Sequence, residues 1–264
     1  GAHDGGKASG DFAKALLRLA RPSRSRETAE RPANKVLRSL PMRYNAPCHH
    51  HESDAMPRGF FFDNTRCTGC RTCVLACKDY RDHGTGDAFR MVIDYEGGSW
   101  SQQDSDDGVF ARNVFAYHIS LACNHCNSPA CAQVCPTGAM HKDELDLVWP
   151  DANKCIGCGY CTMACPYHAP HIDARLKRSS KCDGCRDRVA QGARPICVEA
   201  CPLRALDFGA AFELHERHPD AVRSIMPLPD ESATSPNLYI LPSPAALAAE
   251  DGGGRIVNRG EIGL

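Results

Sequence analysis

The chain has 264 residues, of which 24% are charged and 42% hydrophobic, and its formal net charge is -1. This is the composition of an ordinary soluble protein, and it lacks the bulk positive charge typical of nucleic-acid-binding proteins. Seventeen cysteines are far more than packing requires. No run approaches the roughly 18 apolar residues of a membrane-spanning helix.

Residues 1–55 are predicted to form a basic, flexible N-terminal extension, with ten Lys and Arg against six Asp and Glu. Apolar residues from Phe12 to Leu19 recur at helical spacing, and Pro22 would end such a helix. A disordered arm and a helix that docks on a partner or membrane surface both remain open. Lys and Arg interrupt this stretch and no paired arginines precede it, so we expect no signal peptide. Cys48, beside three histidines, is interpreted as a free thiol.

The aromatic run at 59–66 predicts a strand that enters the first cysteine loop. Glycines divide residues 78–100, which suggests a hairpin with loops, and residues 114–120 suggest another strand. These strands would form a small sheet beside the cysteine loops.

Sixteen cysteines form four blocks of four. Blocks one and three read C-x2-C-x2-C-x3-C, the ferredoxin run for a [4Fe–4S] cluster, whereas the middle gap widens to four residues in block two and eleven in block four. Proline follows the last cysteine in three blocks. In chain order the blocks are Cys67, Cys70, Cys73 and Cys77; Cys123, Cys126, Cys131 and Cys135; Cys155, Cys158, Cys161 and Cys165; and Cys182, Cys185, Cys197 and Cys201.

The spacing has a chemical reason. Three thiolates in a tight loop hold three irons of one cubane, and in two-cluster ferredoxins the fourth cysteine ligates the other cluster. The blocks should therefore work in pairs, and sixteen thiolates supply four cubanes. Structural zinc uses two separated cysteine pairs per ion, and disulfide frameworks belong to small secreted chains, so both alternatives fit poorly. Because the free energy of metal binding contributes to folding, we expect the metal-free chain to be poorly folded.

Basic residues precede the first cysteine of three blocks: Arg66, Lys154 and Lys181. Nearby charge tunes a cluster's potential, but such residues are more often solvated surface charge, which is the interpretation adopted for all three.

The C-terminal part is predicted to contain one surface helix over 211–225 and then a proline-rich extended strap over 235–244, lying on this or another subunit. The last stretch, with Gly252 to Gly254, is expected to be flexible. The similar strings CPTGAM at 135–140 and CPLRAL at 201–206 indicate an internal repeat.

Several longer strings resemble the iron–sulfur (B) subunit of anaerobic dimethyl sulfoxide reductase, a three-part respiratory enzyme. They are GFFFDNTRCTGCRTCVLACKDYRD, NVFAYHISLACNHC, CPTGAMHK and KCDGCRDRVAQGARPICVEACPLRALDFG, and the resemblance covers roughly residues 59–241. The cysteine pattern alone is shared with the iron–sulfur subunits of nitrate reductase, formate dehydrogenase, and thiosulfate or polysulfide reductase.

The resemblance implies an α+β fold of duplicated ferredoxin-like cluster-binding modules with small β hairpins and loop inserts, and four [4Fe–4S] clusters. Nitrate reductase relatives carry a tryptophan at one block-three position, where this chain keeps Cys158. The implied ligands are Cys67, Cys70, Cys73 and Cys201 (set one); Cys182, Cys185, Cys197 and Cys77 (set two); Cys123, Cys126, Cys131 and Cys165 (set three); and Cys155, Cys158, Cys161 and Cys135 (set four).

The implied organisation places the first module at 56–112 and 175–210, the second at 113–174, and a C-terminal helix and partner-docking tail at 211–264. Sets one and two would lie toward a molybdopterin catalytic subunit. Sets three and four would lie toward a quinol-oxidising membrane subunit, with set four at the end. The chain would be peripheral on the membrane through that partner, exported with the catalytic subunit, and would do no bond chemistry itself. The implied role is to relay electrons from the membrane subunit to the catalytic subunit. The alternatives are the same role in another molybdopterin enzyme, of the formate dehydrogenase, thiosulfate or polysulfide reductase, or nitrate reductase type, and a free-standing polyferredoxin.

Overall fold

The structure, a computed structural model, describes residues 56–102, 110–249 and 253–263. The predictions for the N-terminal helix, Cys48 and its neighbouring histidines lie outside these residues. The strands are β1 (Arg58–Asp63), β2 (Met91–Gly97), β3 (Trp100–Gln102), β4 (Phe110–Arg112), β5 (Phe115–Leu121), β6 (Met140–Lys142), β7 (Val148–Pro150), β8 (His171–Ile172), β9 (Ser179–Ser180), β10 (Leu206–Ala210), β11 (Leu238–Leu241) and β12 (Gly254–Ile256). The helices are α1 (Thr72–Tyr80), α2 (Ala130–Gln133), α3 (Tyr160–Ala164), α4 (Arg186–Ala190), α5 (Ile196–Glu199), α6 (Ala211–Arg217), α7 (Pro244–Ala248) and α8 (Arg259–Ile262), with a 3-10 turn at Glu231–Ala233.

The aromatic run after Arg58 forms the central strand of the first sheet, which confirms the strand predicted there. β1 pairs antiparallel with β10, where Phe60 faces Phe208, and parallel with β11, where Phe60 faces Leu238. Residues 59–63 are all buried, because both faces of this strand are covered: His218 stacks on Phe61 and His125 lies near Phe60. This explains why the run is continuously apolar up to Asp63 rather than alternating.

The second sheet joins residues that the sequence assigned to two modules. β2 pairs antiparallel with β5 along its whole length, from Met91 opposite Leu121 to Gly97 opposite Phe115, and β12 pairs with the other edge of β2. The β3–β4 hairpin lies between β2 and β5 in the chain. The small sheet predicted from residues 78–120 is therefore confirmed, and it links the two predicted modules directly.

The helix predicted over 211–225 is wrong beyond Arg217, where α6 ends. Pro219 follows two residues later, and proline disfavours helical backbone in the residue before it, here His218. The remainder of the segment is irregular apart from a bridge between Val222 and Ile240.

The C-terminal strap is a strand of the chain's own first sheet. β11 pairs with β1, and its Leu238 and Ile240 are buried. The prediction of a flexible last stretch is wrong for Gly254–Ile256, which form β12 against β2. Both segments are too short and too rich in proline or glycine to signal a strand by themselves, and pairing with an existing strand supplies what local propensity lacks.

Short helices follow the cysteine loops and pack in pairs. α1, which carries Cys73 and Cys77, contacts α5, which carries Cys197. α2, which carries Cys131, contacts α3, which carries Cys161. Blocks one and four are thus neighbours, and so are blocks two and three.

Candidate iron–sulfur centres

Every cysteine block opens with the same backbone turn. The residue before the second cysteine has a positive φ in all four blocks: 67° at Gly69, 43° at His125, 70° at Gly157 and 72° at Gly184. Glycine suits this conformation because it lacks a Cβ, and a Cβ on Gly157 would lie 2.1 Å from the Lys177 carbonyl oxygen. The turn aims backbone N–H groups at cysteine sulfurs: the N–H of Gly184 donates to Cys182 Sγ at 3.4 Å.

Three of the four predicted ligand sets each line a cavity of their own. The cavities contain about 330, 350 and 330 Å³ of free space, part of which is open to solvent. They are lined by Cys67, Cys70, Cys73 and Cys201; by Cys123, Cys126, Cys131 and Cys165; and by Cys135, Cys155, Cys158 and Cys161. The thiols surround a space rather than a point, since no three His, Cys, Asp or Glu side chains within the described ranges converge as a single-ion site would require.

The remaining set lies between the helices of blocks one and four. Cys77, Cys182, Cys185 and Cys197 are all buried. The pKa of Cys77 is raised to about 12, first by burial and then by the neighbouring thiolate of Cys197. Burial raises the pKa of Cys182 well above its usual range, with further contributions from Cys123 and Cys77.

Hydrogen-bond donors point at the sulfurs of the sets. Backbone N–H groups donate to Cys201 Sγ (from Ala205, 3.3 Å), to Cys135 Sγ (from Met140, 3.3 Å) and to Cys155 Sγ (from Ser179, 3.2 Å). The Ser120 hydroxyl lies 3.3 Å from Cys73 Sγ, where either atom can be the donor, and the Cys161 thiol donates to Ser179 Oγ at 3.3 Å. Donors of this kind stabilise thiolates that ligate an anionic cluster, so these residues fit a [4Fe–4S] group.

Burial makes half of these sixteen cysteines poor thiolates when no metal is bound. It raises the pKa of Cys67 and Cys126 to about 11 and that of Cys131 to about 12. The hydrogen bonds to these sulfurs offset only part of the loss of water around a buried thiolate, and a nearby cation or a bound metal compensates the rest. Cluster binding at these positions must therefore release protons and contribute free energy to folding.

A buried arginine lies between sets one and two. Arg90 is 2% exposed and donates to the carbonyl and hydroxyl oxygens of Ser120, at 3.2 and 3.1 Å. Burial alone would lower its pKa. The nearby thiolates of Cys197 (set two) and Cys73 (set one) outweigh that effect, so the pKa of Arg90 is raised. Its Nε is buried with no hydrogen-bond partner among the described residues, which suits an anionic group close by.

A buried lysine lies between sets two and three. Lys181 is 3% exposed, and its Nζ donates to Cys123 Sγ at 3.2 Å, to the Cys182 carbonyl at 2.7 Å and to the Val148 carbonyl. The interpretation of Lys181 as solvated surface charge is therefore wrong. The same interpretation holds for Arg66 and Lys154, whose side chains are 60% and 62% exposed and pair with Asp63 and Asp151.

The sequence does not distinguish these cases. Lys154 and Lys181 both stand directly before a cysteine block, and neither position signals burial. Arg90 follows a glycine-containing loop, and nothing in its local sequence marks it as a buried cation. Both buried cations depend on what the neighbouring strands and loops bring around them.

Contacts between the sets give them a linear order, here called the cluster row. Set one adjoins set two, because Cys73 of set one lies near Cys197 of set two. Burial is the main reason that the pKa of Cys73 is raised, and the nearby thiolate of Cys197 raises it as well. Set two adjoins set three through Cys182 and Cys123. Sets three and four share a small apolar cluster in which Met140 and Val148 pack with the cysteines of both helices. The row therefore runs from set one through sets two and three to set four.

The row is exposed at its two ends. Cys70 of set one and Cys158 of set four are exposed, whereas the cysteines of sets two and three are buried or half-buried. Exposed apolar side chains lie close to Cys158 in the chain: Ile156 is 67% exposed, Tyr160 53% and Met163 73%. Within the described ranges, none of the helices has both the length and the apolar character that crossing a membrane requires.

Comparison with known proteins agrees with this site. A family model described as a 4Fe-4S dicluster domain matches residues 114–211. The chain is 51% identical to the B subunit of anaerobic dimethyl sulfoxide reductase from Escherichia coli (strain K12) and 52% identical to that from Haemophilus influenzae, each over 204 residues that cover 77% of this chain and 98% of the relative. This protein belongs to the family of anaerobic dimethyl sulfoxide reductase B subunits. The resemblance read from the sequence is thereby confirmed.

Members of this family are the iron–sulfur subunits of their enzymes, and this chain is a [4Fe–4S] protein of α+β fold with an electron-transfer role. A more distant relative is the thiosulfate reductase electron transfer subunit of Salmonella typhi, 38% identical over 152 residues that cover 57% of this chain and 74% of that protein.

Proposed function

We propose that the chain carries four [4Fe–4S] clusters, one on each cysteine set, and passes electrons along the cluster row. The observation that carries this proposal is the arrangement of the sixteen cysteines: three sets line separate cavities of nearly equal volume, and the four buried cysteines of the remaining set lie between two of them. The bound clusters supply one-electron redox chemistry. The chain supplies thiolate ligands, N–H and hydroxyl donors, and a cover that excludes water from the middle of the row.

The four sites are organised as two duplicated ferredoxin-like modules. The shared positive φ before each second cysteine supports a common ancestor loop, and the contacts α1–α5 and α2–α3 support the pairing of blocks one with four and two with three. The proposed modules are residues 56–112 with 175–210, and residues 113–174. The β2–β5 pairing then acts as the mechanical link between them.

The substrate and partners follow from the family. Because the relatives of about 51% identity are subunits of anaerobic dimethyl sulfoxide reductase and are matched over 98% of their length, the catalytic partner is proposed to be a molybdopterin subunit that reduces dimethyl sulfoxide. A quinol-oxidising membrane subunit would supply the electrons and hold this chain at the membrane. The more distant thiosulfate reductase relative keeps a second candidate, the same relay role with another terminal acceptor.

The two exposed ends of the row suit two different partners. Electrons would enter at set four, where Cys158 and the apolar side chains close to it in the chain are exposed, and leave at set one, beside Cys70. A free-standing polyferredoxin would need only one accessible end, so the two-ended row favours a relay between two subunits. Residues 211–264 are predicted to dock on a partner. Within them, β11 and β12 pair with strands of the chain's own sheets, so a docking role falls to the other residues of this range.

Metal analysis tests the cluster count. Protein purified without oxygen should contain about sixteen irons and an equal amount of acid-labile sulfide per chain, by the rule of four cysteines per cubane. A reproducible value near twelve would contradict the four-cluster proposal, and zinc in place of iron would overturn the whole assignment.

The direction of transfer needs the complete complex. In Cys155→Ser, the cluster held by set four should be lost or converted. Quinol should then no longer reduce the complex, while an artificial donor to the catalytic subunit should still support turnover. Cys48→Ser, which changes the cysteine outside the four blocks, is the control and should behave as wild type. Quinol oxidation that survives the loss of set four would place electron uptake elsewhere.

A further inference from the structure

Lys181 is held in a way that identifies it as a buried cation. Its Nζ donates to three acceptors, Cys123 Sγ and the carbonyls of Val148 and Cys182. An ammonium has three N–H donors and no acceptor, so all three are used and the protonated form is the one this geometry fits. Water has little access to this charge, because the residue is only 3% exposed.

A charge in this position must be balanced by anions. An isolated ammonium moved out of water is strongly destabilised, and the two carbonyls offer only partial negative charge. No carboxylate in the described residues pairs with Lys181. The neighbouring His125 cannot assist or compete as a cation, since Val148 N–H donates to its Nδ1 at 2.9 Å and the ring is buried. The full negative charges nearby are the thiolates of sets two and three.

The lysine stands at the junction between the two modules. It directly precedes Cys182 of set two in the chain, and its ammonium contacts Cys123 of set three. Its third acceptor, Val148, also packs against Cys131 of set three. An electron that moves along the cluster row between these sets must pass this cation.

We propose that Lys181 raises the reduction potential of the cluster held by set three, and so sets the step in which electrons cross between the two modules. The proposal rests on the proposed function. In this step the cluster of one set loses one electron and its neighbour gains it, with no proton or bond exchanged. A cubane with four thiolates is an anion, reduction makes it more negative, and a fixed positive charge at Cys123 favours the reduced form.

Lys154 provides a matched comparison. It precedes the first cysteine of block three as Lys181 precedes that of block four, yet its side chain is 62% exposed and pairs with Asp151 at 3.8 Å. Solvent screens such a charge. The same residue in the same sequence position should therefore influence the clusters strongly in one place and weakly in the other.

The test is a redox titration of the complete complex followed by electron paramagnetic resonance. The variants are Lys181→Met, which keeps the length of the side chain without charge, Lys181→Gln, which keeps N–H donors without charge, and Lys181→Arg, which keeps the charge. Both neutral variants should lower the midpoint of one cluster by about 59 mV, which corresponds to a tenfold change in a one-electron equilibrium. Lys181→Arg and Lys154→Met should leave all midpoints near those of wild type.

The shifted signal should be the one that is removed or converted by Cys165→Ser, a change at the half-buried ligand of set three, which identifies it as set three. The proposal is overturned if no midpoint moves, if only another cluster moves, or if Lys154→Met causes the same shift. It is overturned equally if both neutral variants lose cluster iron while Lys181→Arg keeps it, because Lys181 would then serve assembly rather than potential. None of these results changes the iron content or the quinol-driven electron transfer of the wild-type complex. The proposed function is tested by those two measurements, so it can stand or fail independently of the role of Lys181.

Discussion

The middle and the ends of the cluster row are built from one cysteine motif in opposite surroundings. All four cysteines of set two are buried, and set three has three buried and one half-buried. Sets one and four each expose their second cysteine, Cys70 and Cys158. Both buried cations lie near cysteines of the middle sets: Arg90 near Cys197 of set two, and Lys181 near Cys123 of set three.

The difference follows from what each part must do. A partner can exchange electrons only with a cluster near the surface, so the ends need access. The middle needs protection from water, and burying several anions there requires positive charge supplied by the protein itself. A cysteine motif shared by all four places thus leaves access and charge compensation to its surroundings.

Removal of all clusters should have the largest effect. Among the described residues, two of the three hydrophobic clusters hold two cysteines among their four members, and the segment from Cys123 to Cys201 adds only four buried side chains other than cysteine to the large core, so its packing depends strongly on the clusters. We expect chelation under oxidising conditions to abolish hydrogen-exchange protection there while the strands around Phe60 and Ile240 keep some of theirs, because they belong to the large apolar core. Native-like protection of residues 123–201 in the metal-free chain would contradict this.

Loss of one ligand should cost more in the middle than at the ends. In Cys131→Ser a buried hydroxyl replaces a ligand on α2. An unsatisfied buried polar group lowers the free energy of unfolding by roughly 1–3 kcal/mol, in addition to the effect of losing the cluster. In Cys158→Ser the hydroxyl is solvated. We expect a lower unfolding temperature and loss of more than one cluster for Cys131→Ser, and conversion of a single cluster for Cys158→Ser. Equal iron contents and equal unfolding temperatures would remove the distinction between middle and ends.

An ion pair between the two proposed modules offers the next effect. Asp143, in the β6–β7 turn, has a 2% exposed side chain that pairs with Arg186 and accepts the N–H groups of Leu145 and Leu147 at 3.0 and 2.9 Å. Arg186 directly follows Cys185 of set two. Asp143→Ala should therefore lower the free energy of unfolding by about 3 kcal/mol, measured by denaturant unfolding of the holoprotein.

The control for this prediction is the adjacent Glu144→Ala. Glu144 is 79% exposed and lies 3.6 Å from the same arginine. Its loss should cost less than about 0.5 kcal/mol. If the two variants unfold at the same denaturant concentration, the buried pair contributes nothing specific to the junction of the modules.

The smallest effect concerns the surface at the set-four end. Met163, on α3 shortly after Cys158 in the chain, is 73% exposed, and its burial against a partner should contribute to docking. Met163→Ser should slow quinol-driven reduction of the complex by roughly fivefold, since a lost apolar contact of about 1 kcal/mol corresponds to that factor. Iron content should not change. Leu247→Ser, at a 52% exposed position on α7, is the control and should leave the rate unaltered.

Some expectations failed because they concerned pairing over long distances in the chain. The strap at 235–244 and the stretch after Gly253 carry few local signals for strands, yet β11 and β12 lie against β1 and β2, whose free edges accept them. The long helix predicted over 211–225 failed for a local reason, since apolar spacing continues past Pro219 but helical backbone does not. Residues 1–55 contribute no comparison, since they lie outside the described ranges.

The sequence by itself determined the chemistry and the family. Cysteine spacing is a local property, because the three thiolates of each loop must reach one cubane from a few consecutive residues, and the C-x-G-C turn carries its own backbone requirement at Gly69, Gly157 and Gly184. The tertiary structure alone decided the order of the row, which thiols reach the surface, and that Lys181 is buried while Lys154 is not. Burial and charge compensation depend on residues distant in the chain, such as Val148 and Cys123 around Lys181, and no pattern of neighbouring residues records them.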